Sequence, residues 1–375
     1  MADAPAPWRN PVYVAATIVQ ALGRRRWRPE LAYGAGDLRR HLIPTAAERE
    51  RRARRTLPYL GITTLMLDEA RDLREWIEFH RLQGVERFYL YDNGSTDDTE
   101  EVVRPYVEEG IAELVPWPHA GAQRAAIADC FARHRDDVRW LTCMDIDEFL
   151  FCPTGERVCD VLREFEGYPA VAVHWQMFGT SDVVLRPPGA EVLPTFTRRS
   201  DDFGSRSANR HIKSIVDPSS ALDGPLRTPH NRPYRVGFAV NEIGCPVIGP
   251  HPWPIRSERV RINHYWTKSK AESLRKFARS AFASARGSEF ETHGMKEFTD
   301  PRLNAVDERA ILRARDRLVA GAAAQPPARR RPRSARAAVD LGLDLAVLLQ
   351  GIVRSYGLRN LLRDGVSGAA QHYRS

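Results

Sequence analysis

Two short acidic stretches hold the residues best suited to chemistry. Tyr91-Asp92-Asn93-Gly94-Ser95-Thr96-Asp97-Asp98 and Met144-Asp145-Ile146-Asp147-Glu148-Phe149 lie about fifty residues apart, each after a short apolar run that reads as a buried strand. In an open α/β sheet, ligands bind in the crevice beyond the carboxyl ends of the strands. In an extended segment, side chains at i and i+2 share a face. Asp145 and Asp147 are therefore expected to face that crevice together, with Ile146 turned to the core. Two hard oxygen ligands on one side suit Mg²⁺ or Mn²⁺, which keeps positions open for substrate phosphates. Each cluster has a plainer reading as well. A lone Asp-x-Asp also fits a solvated loop, and Ser95 with Asp98 also fits a helix capping box in an ordinary turn. Gly94 comes too early in the acidic pattern for a calcium-binding EF-hand loop.

The elements that must position these residues alternate regularly. Residues 60–67 are apolar and β-branched, as a strand requires. In residues 68–83, Leu73, Trp76, Ile77 and His80 recur at the spacing of one buried helical stripe, with Asp68 and Glu69 at its start and Gly84 as its C-cap. His80 on that stripe reads as a satisfied core histidine. Strands at 87–91 and 111–117, helices at 100–109 and 122–134, and a strand ending at Asp145 complete a β-α alternation. Crossovers of this kind need a parallel sheet with helices on both faces. Beyond residue 151 the rhythm breaks into strand-like pieces at 170–175, 235–239 and 260–262, long Pro- and Gly-rich connections, and a helix over 269–286. The expected organisation is a basic N-terminal extension (1–56) and one α/β domain (57–300). That domain divides into a nucleotide-binding half (57–151) and an acceptor half (152–300). A helix with a Pro/Arg-rich linker (301–336) and an amphipathic C-terminal segment (337–375) follow.

Of 375 residues, 43% are hydrophobic, enough for a large core, and the net charge is +8. Only five of the 56 basic residues are lysines, and the arginine runs at 24–28, 49–55 and 329–336 lie outside the acidic motifs. Such runs fit solvated or membrane-surface segments better than a nucleic-acid-reading face. The five cysteines form no metal-ligand spacing, which fits reduced thiols in the cytoplasm. No secretory signal or membrane span is expected. The setting expected is cytoplasmic, with peripheral contact to the inner face of the membrane allowed by the basic extensions and the C-terminal helix.

Taken together, several spaced motifs resemble one group of enzymes. Leu67-Asp68-Glu69, Trp76-Ile77-Glu78-Phe79-His80, residues 88–99 and residues 144–149 are similar to the family-2-like and family-92-like glycosyltransferases. Trp175-x2-Phe178-Gly179-Thr180, His211-Ile212-Lys213-Ser214-Ile215-Val216 and Asn263-His264-Tyr265-Trp266-x-Lys268-Ser269 extend the resemblance over about residues 60–290. It implies a GT-A fold, in which a Rossmann-like, mostly parallel sheet joins an acceptor-binding half. Asp92, with Asn93 beside it, resembles the family aspartate that reads the nucleotide base. Asp68 and Glu69 lie where the nucleoside pocket is lined, although the family pattern has Asn in place of Asp68. Asp145 and Asp147 resemble the metal-holding Asp-x-Asp pair. His264 is either a third metal contact or an ordinary hydrogen-bonded histidine. Lys213 and Lys268 are either counter-charges to the leaving diphosphate or surface lysines.

Inversion, implied by the resemblance, needs a carboxylate base to deprotonate the acceptor hydroxyl. Asp182 is the first choice, with Asp202 and Glu242 as alternatives. The expected enzyme is a bacterial-type, Mn²⁺- or Mg²⁺-dependent transferase of polysaccharide biosynthesis. It would move sugar from a nucleotide donor, UDP-linked, to a glycan or lipid-linked acceptor. A nucleotidyltransferase would instead need a Gly-rich, Lys-bearing loop after the first strand, and residues 67–71 are acidic. A non-catalytic membrane- or nucleic-acid-binding protein would need basic and aromatic residues interleaved on the core.

Overall fold

The computed structural model describes residues 57–119, 123–201, 208–283 (apart from 223, 225, 227, 236, 248–251 and 253–254) and 301–324. The N-terminal extension, the Pro/Arg-rich linker and the C-terminal amphipathic segment lie outside the described residues, as does Asp202.

The first half is a parallel sheet. Strand β1 (Leu60–Met66) pairs with β2 (Arg87–Asp92) on one side and β4 (Trp140–Cys143) on the other, and β3 (Ala112–Pro116) lies outside β2. Helices α1 (Ala70–Leu82), α2 (Thr99–Glu108) and α3 (Gln123–Arg133) make the crossovers. Alternation along β2 sorts the core into two layers, because successive side chains leave opposite faces of a strand. Phe88 and Leu90 pack with Leu73, Trp76 and Ile77 of α1 and Val103 and Tyr106 of α2. Tyr89 and Tyr91 pack with Ile127, Cys130 and Phe131 of α3. Helices thus cover both faces, and the stripe expected on α1 is buried throughout. Gly84 ends α1 with φ +90°, the left-handed geometry that favours glycine.

The second half is mixed. Beyond β5 (Glu148–Phe151), strand β6 (Ala170–Met177) is followed by the short β7 (Arg198–Arg199) and by β8 (Ile212–Val216). Strand β8 is antiparallel to both β4 and β6 and so joins the halves into one sheet. Strands β9 (Ala239–Val240) and β10 (Pro246–Val247) extend the far edge. Strand β11 (Arg261–His264) runs antiparallel to β5, pairing His264 with Glu148, and parallel to β6, pairing His264 with Met177. Helix α4 (Lys270–Ala283) follows, opened by a capping box in which Ser269 and Glu272 exchange hydrogen bonds. This is the expected α/β architecture, with parallel pairing concentrated in the first half.

Residues 301–324, set apart in the sequence reading, pack back onto the domain. Strand β12 (Val306–Asp307) pairs with β7, and α5 (Ala310–Ala324) buries Ile311 and Ala314 in the main core. Asn304 reaches the turn after β6, taking the Ser181 amide on Oδ1 at 2.8 Å. Among the described residues no helix is long and apolar enough to cross a membrane.

Helix α1 also clamps the second acidic stretch. The Trp76 indole donates to the carbonyls of Asp145 (3.1 Å) and Glu148 (2.9 Å). His80 Nδ1 meets the Trp76 carbonyl at 2.8 Å, while Nε2 accepts from the Leu150 amide at 3.1 Å. That pairing sets the tautomer with its proton on Nδ1. Burial pushes the His80 imidazole down to about 3, so it stays neutral, a core histidine as expected.

Two outcomes test this packing. A Cβ on Gly179 would fall 2.3 Å from Asn304 Oδ1 and 2.6 Å from the Leu303 carbonyl. Gly179→Ala should therefore cost about 1–3 kcal/mol in urea denaturation, as overpacking does. An unchanged midpoint would mean that residues 301–304 do not hold this turn. His80 has a folded pKa below its ordinary 6.5. Its contribution is complete above that value and is lost as acid takes the pH down towards 3. His80→Gln can keep both hydrogen bonds without titrating. It should therefore make the acid slope of stability shallower by about 1.4 kcal/mol per pH unit between those limits.

Candidate active site

The carboxyl ends of β1 and β2 are laced together by aspartates. Asp92 Oδ1 accepts from the Ser95 hydroxyl at 2.6 Å and the Ser95 amide at 3.1 Å. Asp68 Oδ1 takes the Thr96 amide at 2.8 Å, while the Asp68 amide donates to Ser95 Oγ at 3.0 Å. Asp68 has φ +55°, a region in which Asp and Asn are both enriched, so its replacement of the family's Asn keeps the turn intact. The capping box expected of Ser95 and Asp98 does not form, since Asp98 makes no side-chain cap bond. Asp97 does that work for two helices, accepting from the Ala70 amide of α1 and the Thr99 amide of α2, each at 3.0 Å. Asn93 Nδ2 ties the loop to the end of β3 through the carbonyls of Trp117 (2.7 Å) and His119 (3.0 Å).

The second cluster departs from expectation. Strand β4 stops at Cys143, and Asp145 to Glu148 form a turn closed by the Glu148 amide on the Asp145 carbonyl at 3.0 Å. The period-two argument for Asp145 and Asp147 therefore does not apply, because the segment is not extended. Ile146 is buried as expected, but each aspartate meets its own partners. Asp145 accepts from Gln123 Nε2 at 2.8 Å and Lys213 Nζ at 3.1 Å. Asp147 accepts from Lys276 Nζ at 2.6 Å on Oδ2, and His264 Nε2 lies 3.3 Å from its Oδ1. Burial raises the Asp147 carboxyl, but Lys276, His264 and Lys268 outweigh it and hold the group well below the ordinary carboxylate range.

Both lysines expected near the site are there, and neither is a surface group. Lys213 on β8 has a side chain 1% exposed and lies 3.3 Å from the wholly buried Glu148 as well as 3.1 Å from Asp145. Burial lowers the Lys213 pKa, but its two carboxylates raise it further and keep it charged. Glu148 is pushed up to about 7 by burial, only partly offset by Lys213. Lys268 (φ +48°) reaches the start of α1, bonded to Asp72 and 3.7 Å from Glu69. Buried Arg186 joins them, 2.7 Å from Asp72 and 2.6 Å from Glu272. Burial raises the Glu69 carboxyl against the opposing charge of Lys268.

The base candidates separate clearly. Glu242 accepts from the amides of Glu258 (3.1 Å), Arg259 (2.8 Å) and Val260 (3.0 Å), so it anchors the entry to β11. Asp182 sits in the turn after β6 at φ +61°, its side chain 70% exposed and 3.6 Å from Arg198. Three partners of the Asp-x-Asp turn went unread in the sequence: Gln123, Glu148 and Lys276. Glu148 stood within the motif, and the scarcity of lysine could have singled out Lys276. Among the described residues, no group of three or more His, Cys, Asp or Glu forms a ready-made metal cage.

Residues 63–236 match the model of glycosyltransferase family 92. A glycosyltransferase family 92 protein of Oryza sativa subsp. japonica is 32% identical over 193 residues, covering 51% of this chain and 32% of its own length. One from Arabidopsis thaliana is 35% identical over 230 residues, 58% of this chain and 38% of its own. A galactan β-1,4-galactosyltransferase of Arabidopsis thaliana is 29% identical over 153 residues, 38% of this chain and 28% of its own. The chain thus spans about a third of the length of these relatives. They are plant proteins, which overturns the expectation of a bacterial-type enzyme. Residues 63–236, with their Asp92 loop and Asp-x-Asp turn, are thus similar to glycosyltransferase family 92.

Proposed function

We propose that the chain transfers a sugar from a nucleoside-diphosphate donor, a UDP-sugar, to a glycan or lipid-linked acceptor, with inversion and with a divalent cation. One observation carries this reading. The carboxylates at the end of the parallel sheet are met by three of the chain's five lysines, an arrangement suited to a bound diphosphate and its counter-ion. The galactosyltransferase among the relatives supports transfer to a glycan.

The residues present fit a divalent ion. Asp147 Oδ1 is buried and makes no hydrogen bond of good geometry, facing His264 Nε2. The 3.3 Å between Asp147 Oδ1 and His264 Nε2 is close to the separation of about 3 Å expected for neighbouring ligands each about 2.1 Å from one ion. Asp147 and His264 are the groups that would hold it together with oxygens of the donor, an oxygen and imidazole pair that suits Mn²⁺, while Asp145 stays with Gln123 and Lys213. When bound, the ion supplies positive charge to the departing diphosphate. Asp92 and Asn93 present the loop that receives the base, and Glu69 borders the nucleoside side. Lys213 keeps Asp145 oriented, and Lys268 does the same for Asp72 beneath α1. Asp182, the exposed carboxylate of the described base candidates, takes the proton of the acceptor hydroxyl as that oxygen attacks the anomeric carbon. The glycosidic bond breaks with its electron pair left on the phosphate oxygen.

A thermal-shift titration with UDP and Mn²⁺ tests the donor half, since a ligand that binds the native state raises its melting temperature. The intact chain should be stabilised, and Asp145→Asn combined with Asp147→Asn should abolish the shift. Unchanged UDP binding in that double variant would sink the reading, and a response to a different nucleotide alone would remove the uracil-reading role of Asp92. Asp182→Asn should leave UDP binding intact and lower turnover by about 10²–10⁴-fold, the usual weight of a general base.

A further inference from the structure

The lysines at the acidic edge are held very differently. Lys213, 1% exposed, is fixed between Asp145 and Glu148, and Lys268, 13% exposed, between Asp72 and Glu69. Lys276 is 35% exposed and projects from α4. Its ammonium donates to Asp147 Oδ2 at 2.6 Å and to the Trp266 carbonyl at 3.2 Å, with the Trp266 ring centroid 5.4 Å away. Asp147, by contrast, is nearly buried and holds its other oxygen towards His264. One carboxylate therefore already has a cation seated on it.

A second cation cannot share Asp147 without repelling the first at close range in a partly buried setting. The Lys276 side chain has four rotatable carbons, solvent on one side, and a backbone carbonyl that keeps it local. We propose that Lys276 is a yielding counter-ion. It occupies Asp147 in the empty protein, gives up that carboxylate as a divalent cation binds, and turns to the diphosphate of the donor. This rests on the donor-site reading given above. No bond to Lys276 forms or breaks. It donates hydrogen bonds throughout, first to the Asp147 carboxylate and then to the phosphate oxygen that retains the electron pair of the cleaved glycosidic bond.

The role leaves a signature that a purely structural lysine would not. Binding of Mn²⁺ to the full chain without nucleotide, followed by electron paramagnetic resonance, should be about tenfold tighter in Lys276→Met than in the parent. Removal of a competing charge-assisted hydrogen bond has that order of effect. At saturating Mn²⁺, UDP should bind the same variant about tenfold more weakly, because the cation that turns to the diphosphate is gone. Lys276→Arg, which keeps the charge, should stay close to the parent in both measurements. Unchanged or weaker Mn²⁺ binding in Lys276→Met would overturn the proposal while leaving the donor site standing. A parent chain that bound neither Mn²⁺ nor UDP would overturn both.

Discussion

Carboxylates gathered at one edge of a sheet lose hydration and repel one another, so such an edge persists only where cations reach it. In this chain the lysines that meet these acids come from the other half of the protein. Asp145, Asp147, Glu148, Glu69 and Asp72 belong to the parallel half and its exit turn, whereas Lys213 stands on β8, Lys268 precedes α4 and Lys276 is on α4. The insertion of β8 beside β4 and the antiparallel return of β11 beside β5 are what bring the two sets together. The ion pairs therefore hold the halves in register, even though a buried pair adds little net stability beyond what its absence would cost.

Geometry at this edge is fixed from behind by neutral groups. Trp76 and His80 address the backbone of the Asp145 turn, leaving its carboxylates to the cations. Trp175 on β6 packs its ring against His264, with centroids 4.3 Å apart, and lies beneath Lys213. One apolar ring is thereby a common reference for the imidazole beside Asp147 and the ammonium beside Asp145. Preorganisation of this kind suits a site whose ligands are strongly charged and whose productive geometry is narrow.

Much of this was legible in the residues. The helical stripe on α1, the strand-loop alternation and Gly84 follow from periods and caps that depend on neighbours a few positions away, and all are present as expected. The core role of His80 was readable for the same reason. What escaped were contacts set by long-range pairing. Glu242 was a plausible base in sequence, but three amides of residues 258–260 claim it. Lys276 is 129 positions from Asp147, and only the β5–β11 pairing makes them neighbours. The extended form expected for Asp145 and Asp147 failed because the chain must reverse there to start β5, and an i to i+3 bond replaces the pleat.

The return of residues 301–324 to the turn after β6 has a consequence for how the protein is made. Ser181 waits 123 positions for Asn304, and Arg199 pairs across 109 positions with Glu308. Contacts of such separation close late, since loop entropy must be met before they contribute. During synthesis the turn that bears Asp182 therefore lacks its final wall until residues 301–308 have emerged.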